Sequence, residues 1–234
     1  MIKRIRFATR PADLSPEAFA PEWRDAVAAV AAAPPEVRPR RIVVCTAMHD
    51  LIADPEHDGI DFEWFDDDEH LGRCDDWVAG DGGAAAGVAT SVVLVDEHVM
   101  RGADRLERRR KEGASSFVHL AVARRADGLT LEQFLERWAA KAGKVRRDGD
   151  EAPTAIPDEV RGLAYVQNRP RPRTEGDWAY DAINEVHFDD VAGLVARIDW
   201  FREHVGERPD PDLFSANWFI AARADEVPLG LRPR

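Results

Sequence analysis

An α+β fold made of two βαββαβ repeats with antiparallel sheets is what this 234-residue sequence predicts. Three observations predict it. Shifted by 115 positions, Ile2–Trp23 lies on Phe117–Trp138 without a gap. Ala8, Arg10, Leu14, Glu17, Phe19 and Trp23 then recur as Ala123, Arg125, Leu129, Glu132, Phe134 and Trp138. At an offset of 123, Asp58-Gly-Ile60 and Phe65-Asp66-Asp67 recur as Asp181-Ala-Ile183 and Phe188-Asp189-Asp190. A weaker third match sets Asp96-Glu97 against Asp225-Glu226, each just after an apolar strand. Matches that keep their order while the offset drifts indicate a duplication with loop insertions, and such a repeat decides the fold.

Each element follows in order. The first strand of the second repeat, Phe117 to Val122, ends at the Asp127-Gly128 turn signal. Thr130 then stands as N-cap with Leu131 and Glu132 opening a helix. Ser15-Pro16-Glu17 does the same in the first repeat, with proline where its missing N–H costs nothing. Phe19 and Trp23 are four apart, as are Phe134 and Trp138, so each pair shares a helix face that packs on a sheet. Strand two is expected at 41–46 and 163–168, strand three at 60–65 and 183–188, and strand four at 91–95 and 214–221. The second helix is clearest at 191–205, where Leu194, Ile198, Trp200 and Phe201 form the buried stripe. Two ferredoxin-like repeats result, at 1–102 and 115–228, with a linker at 103–114 and a tail at 229–234. Each sheet carries both helices on one face and leaves the other to be covered, which closes an α+β barrel. The second sheet comes from the same chain or from a second copy in a homodimer; the sequence leaves both open.

Composition bounds the function. A net charge of −12 argues against nucleic acid as a partner, because phosphate neutralisation needs a basic face. The basic run 105–111 fits a solvated linker or helix better than a phosphate site. No apolar run is long enough for a membrane span, and Met1-Ile2-Lys3-Arg4 has no signal-peptide pattern. Two cysteines, Cys45 and Cys74, suit a reducing compartment, so a cytoplasmic protein is expected. No zinc spacing, phosphate-binding glycine loop or nucleophile elbow is present. Neither a metal nor another cofactor is expected.

Several motifs resemble the EthD-like members of the dimeric α+β barrel superfamily. They are Leu14-Ser-Pro-Glu-x-Phe…Trp23-Arg-Asp25, Tyr165-Val-Gln-Asn-Arg169, Asp58-Gly-Ile…Trp64-Phe-Asp66 with its partner at 181–189, and Val95-Asp-Glu-His-Val99. The resemblance implies a barrel that binds a hydrophobic, often aromatic, oxygenated small molecule. It also implies relatives that include cofactor-free cyclases, dehydratases and monooxygenases, and others with no assigned activity. The histidine that follows Trp-Arg-Asp in the family is replaced here by Val27 and Ala142, and the strand-three glutamate survives only as Glu185, with Phe62 in its place in the first repeat.

Strand alternation selects the candidate residues. With Val118, Leu120 and Val122 set against the helices, His119 points into the lumen. Val186 and Phe188 set the same way place Glu185 and His187 there too. His119, Glu185 and His187 are therefore the catalytic candidates, for general-base proton abstraction next to a carbonyl. Tyr165, Asn168, Trp218 and Arg4 are the substrate-binding candidates. Hydrogen bonding of these groups to one another between two sheets is the plainer alternative. Arg4, aligned with His119, is expected to pair with Glu185 across the lumen, or else to meet an anionic ligand there. Arg6, Asp61, Glu63 and His98 are further candidates in the first half. His49, His57 and His70 are expected to be solvated. Haem enzymes occur on duplicated ferredoxin-like folds, which would make His119 or His187 an axial ligand. A non-catalytic binding or accessory barrel is the alternative function. The loops 48–56, 78–90 and 144–157 are candidates to cover a barrel mouth.

Overall fold

The structure is a computed structural model, and it describes residues 1–80, 88, 90–146, 149–173, 175–205 and 210–230. The first half runs β1 (Ile2–Ala8), α1 (Pro16–Ala31), β2 (Arg41–Ala47), β3 (Gly59–Phe65), α2 (Asp68–Gly80) and β4 (Thr90–Arg101). A helix, α3 (Ala103–Glu112), occupies the stretch read as a linker. The second half runs β5 (Ser116–Arg125), α4 (Leu131–Ala140), a small hairpin of β6 (Lys144–Val145) and β7 (Thr154–Ala155), β8 (Ala164–Pro170), β9 (Ala182–Phe188), α5 (Val191–His204) and β10 (Phe214–Glu226).

The helix starts carry the caps their sequences announce. Ser15 accepts from the Ala18 amide with Pro16 in the first turn, and Thr130 with Gln133 forms a reciprocal capping box. Asp190 caps α5 through the Gly193 amide.

The strands lie in the order β4-β1-β3-β2 in the first half and β10-β5-β9-β8 in the second. Antiparallel pairing of β2 with β10 and of β4 with β8 joins the two sheets into one closed barrel. Closure therefore takes place within one chain, and no second copy is needed to supply a sheet.

Ile5, Phe7, Phe62, Leu120, Ile183 and Ile220 fill the barrel interior, together with Val118 and Val122. This corrects the assignment of faces on β5. Its regular aliphatic set points into the barrel, and His119 points out toward the helices. The strands of a closed barrel clad in helices are buried on both sides, so the apolar–polar alternation that marks a half-exposed strand is lost. On β9 the expected faces hold: Val186 and Phe188 pack with Leu194 and Ile198 of α5, and Glu185 pairs across the sheet with the interior Leu120.

Aromatic side chains stop one end of the barrel. Tyr180 lies edge-on to Phe7 and Trp218, and its hydroxyl is 2.5 Å from His57 Nε2. His57 and His70 are buried rather than solvated. His70 contacts the Arg38 carbonyl at 2.9 Å, and His49 lies 3.0 Å from Asp58.

Candidate functional site

The predicted residues separate into two places. Glu185 sits in the lumen, at the end covered by α3. Its partner is Lys3 of β1, not Arg4, and Lys3 also reaches Glu97 at 2.8 Å. Asn168 donates to Glu185 at 2.5 Å, and His187 Nε2 lies 3.2 Å from the same carboxylate. The Lys3 ammonium lies 4.4 Å from the Phe62 ring centroid and 4.8 Å from that of Trp64. Burial opposes charge on both partners, but their mutual attraction prevails: the Lys3 pKa is raised and that of Glu185 is lowered. Glu185 and His187 line a recess of about 210 Å³.

Arg4 lies on the opposite face of β1, ion-paired with Glu63 and Asp75. Arg6 is 3.1 Å from both oxygens of Asp61. Arg4, Arg6, Asp61 and Glu63 form a buried, ion-paired network against the helices. His98, on β4, is exposed.

The second place is a cavity of about 400 Å³ on the helix side of the second half. Its origin is local. At the 115 offset, Ala31 of α1 corresponds to Arg146, yet α4 stops at Ala140. Gly143 takes φ +77°, in the left-handed region glycine enters without strain, and the chain turns outward into β6. In α1, Val27, Val30 and Ala31 fill the space over the sheet. Their counterparts Ala142, Val145 and Arg146 instead form part of a wall. The segment 144–157, expected over a barrel mouth, contributes Lys144, Val145, Pro153, Ala155 and Ile156 to this wall. The segment 78–90 lies largely outside the described residues.

His119, Tyr165, Asn184 and Arg197 face this cavity, between apolar surfaces of Trp138, Val186, Phe201 and Phe219. Arg197, on α5, is 6 % exposed. Its Nε donates to His119 Nδ1 at 3.0 Å, its Nη1 donates to the Val160 carbonyl at 2.8 Å, and its guanidinium carbon lies 4.3 Å from the Phe201 ring centroid. A ring nitrogen that accepts carries no proton, so neutral His119 bears its hydrogen on Nε2. Burial, then the neighbouring Arg197, holds the His119 pKa well below the usual imidazole value. Burial lowers the Arg197 pKa to about 9, which leaves it charged at neutral pH. The Tyr165 hydroxyl donates to Asn184 Oδ1 at 2.9 Å and accepts from Gln167 at 2.9 Å, and burial raises its pKa. Beside Arg197 the cavity thus offers neutral donors and a guanidinium to an oxygen atom, over a largely apolar floor.

His119, Glu185 and His187 therefore do not converge. Tyr165 joins His119 at the cavity, Asn168 joins Glu185 and His187 in the lumen, and Trp218 belongs to the aromatic stop. Arg197 and Lys3 were missed. Each had a signal: Arg197 shares a helix face with Leu194, Ile198 and Phe201, and Lys3 shares strand parity with Ile5 and Phe7. A cation on an apolar stripe is buried with a partner or next to one.

The residues do not fit a haem ligand. A ligating histidine donates from its other ring nitrogen, whereas His119 accepts there. His187 turns its Nε2 to Glu185 in a recess smaller than the roughly 300 Å³ at which ligand pockets begin. Among the described residues no cluster of three or more His, Cys, Asp or Glu is arranged for a metal, and no helix is long and apolar enough to cross a membrane.

No protein-family model matches the chain, and no curated protein matches it. Among solved structures it resembles a candidate monooxygenase from Lactobacillus acidophilus NCFM, at 9 % identity and a TM-score of 0.45, with 97 % of this chain and 95 % of that one covered. It also resembles a mutant chlorite dismutase from Candidatus Nitrospira defluvii, at 9 % identity and a TM-score of 0.39, with 94 % and 90 % covered.

Proposed function

We propose that the protein is a cofactor-independent enzyme of the cyclase, dehydratase or oxygenase type, acting on a hydrophobic, oxygenated or aromatic small molecule. The EthD-like motifs support the class. The site is moved from the lumen to the helix-side cavity of the second half. One observation carries this reading: a 400 Å³ cavity into which His119, Tyr165, Asn184 and Arg197 converge from three strands and a helix. Pockets of this size, mostly apolar with a few placed polar groups, hold small ligands, and groups with shifted pKa cluster at working sites.

The role of these groups is electrostatic. His119 Nε2–H and the Arg197 guanidinium stabilise negative charge developing on a substrate oxygen, as an enolising or dehydrating carbonyl requires. Tyr165 and Asn184 orient the same end of the molecule. Glu185 and His187 keep the lumen together in this reading and leave the chemistry to the cavity.

A non-catalytic binding protein is the second reading, favoured by one observation. Among the described residues Asp210 is the only carboxylate that lines the cavity, and it is engaged by Lys141 and Arg146, so none of these residues offers a free carboxylate base to take a proton. Incubating the protein with naphthols, naphthyl ketones and cyclic β-diketones, with binding read by tryptophan fluorescence and turnover by mass spectrometry, separates the readings. Binding with a change of ligand mass supports the enzyme, and binding without one supports the carrier. Ala121→Phe, which fills the cavity from β5, should abolish both; binding that survives it places the site elsewhere.

A further inference from the structure

The outer faces of the two halves differ in one systematic way. In the first, Arg4 of β1 meets Glu63 across the sheet and Asp75 from α2, with its Nη2 3.7 Å from Cys74 Sγ. In the second, His119 of β5 occupies the place of Arg4, and the strand registers set it against Val186 where Arg4 faces Glu63. At the 123 offset, Arg197 of α5 stands where Cys74 stands and Ile198 where Asp75 stands. The strand–helix contact is kept, now between His119 and Arg197 at 3.0 Å. The cation has moved from strand to helix, and both carboxylates that balanced it have become aliphatic.

Arg197 is accordingly buried without a counter-ion. Among the described residues no carboxylate lies within ion-pair distance of it, and its recorded partners are an imidazole, a carbonyl and an aromatic ring. A buried charge is costly unless paired. The cavity adds the same sign: among the described residues Arg101, Lys141, Lys144, Arg146, Arg161 and Arg197 line it against Asp210 alone, with Asp212 and Asp158 pairing Arg146 and Arg161 from outside the lining, in a chain whose net charge is −12. Basic groups gathered at one cleft of an acidic protein focus the field there and draw in anions.

Resting on the cavity reading above, we infer that the ligand carries an oxyanion of the carboxylate kind on its apolar body, and that this group is the missing counter-ion of Arg197. The anion lies against the guanidinium and His119 Nε2–H, and the ring system lies on Phe219, Phe201 and Trp138. The basic residues of the roof favour its entry.

A matched pair of probes tests this: calorimetric titration of the full chain with 2-naphthoate and with 2-naphthamide, which differ in charge and little in shape. The carboxylate should bind at least tenfold more tightly, and the preference should weaken as salt is raised. Arg197→Met should reduce the carboxylate to the affinity of the amide. Val186→Glu, which restores the carboxylate found at Glu63, should do the same while keeping the cation and so serves if Arg197→Met does not fold. Equal affinities in the native chain, or a preference that survives in both variants, would overturn the inference and leave the cavity reading standing. If neither probe binds, the cavity reading fails and the inference falls with it.

Discussion

Lys3 and Glu185, 182 positions apart, form a buried ion pair that links the first strand of one half to the third strand of the other inside the barrel. Both side chains are nearly inaccessible, and Glu97 extends the pair to the barrel mouth.

Breaking this pair should be costly and removing it less so. Lys3→Met leaves the Glu185 carboxylate buried with only Asn168 and His187, a loss of about 3–5 kcal/mol in urea unfolding. Lys3→Met with Glu185→Leu should recover much of that, since an apolar pair of similar volume avoids desolvating two charges. Glu97→Gln, at the partly exposed end, should cost about 1 kcal/mol or less. A double variant as unstable as the sum of its single changes would show that the two residues do not act as a pair.

Stability should fall in acid through buried neutral histidines. Burial lowers the His57 pKa to about 4 and that of His119 well below 6.5. The unfolded chain therefore binds protons that the folded chain refuses. This contribution is constant above pH 6.5 and is lost progressively as the pH falls through the folded pKa values. His57 alone accounts for up to about 3 kcal/mol by pH 4. Thermal melts from pH 8 to pH 4 should show this decline, with a smaller slope in His57→Gln; an unchanged slope would remove His57 as its source.

Two glycines should respond to alanine with opposite signs. Gly143 has φ +77° and Gly72 lies within α2, and an added Cβ at either meets nothing within 4 Å. Gly143→Ala should cost about 1 kcal/mol from backbone strain alone. Gly72→Ala should gain up to about 1 kcal/mol from helix propensity. Chemical denaturation of both variants gives the comparison, and a stabilised Gly143→Ala would contradict the left-handed turn that ends α4.

Gly59 is held by packing. A Cβ there would lie 2.6 Å from the Trp23 ring. Gly59→Ala should cost about 1–3 kcal/mol and shift the tryptophan emission, as overpacking in a filled core does. An alanine, Ala182, already stands at the 123-offset counterpart beside Trp138, so Ala182→Gly should be the milder change; the reverse ranking would mean that the two tryptophans pack alike.

The element order was legible because each signal was local: the caps at Ser15 and Thr130, the Phe-Asp-Asp turns, and the Phe–Trp pairs on α1 and α4. The repeated pattern led to two antiparallel sheets that close a barrel, and the spatial order of the strands came from the structure. The face of β5 was not legible, because Val118, Leu120 and Val122 are an apolar set on a strand covered on both sides, and hydrophobicity does not say which cover is the barrel. The inverted face placed His119 in the lumen and hid its neighbour Arg197 on α5. β9 was read correctly because Glu185 and His187 gave it contrast. The cavity depends on where α4 ends, and Gly143 was its sequence mark.

A barrel assembled from two identical chains repeats every residue, so any hollow opened beside one helix opens beside its twin, and any ion pair kept in one subunit is kept in both. Closing the barrel with a single chain lifts that constraint. One half can hold its charges balanced and its helix fully seated while the other gives up the same ions and a helical turn. A single chain can thus be closely packed beside one helix and hollow beside the corresponding one, an asymmetry that identical subunits cannot reach by point substitution.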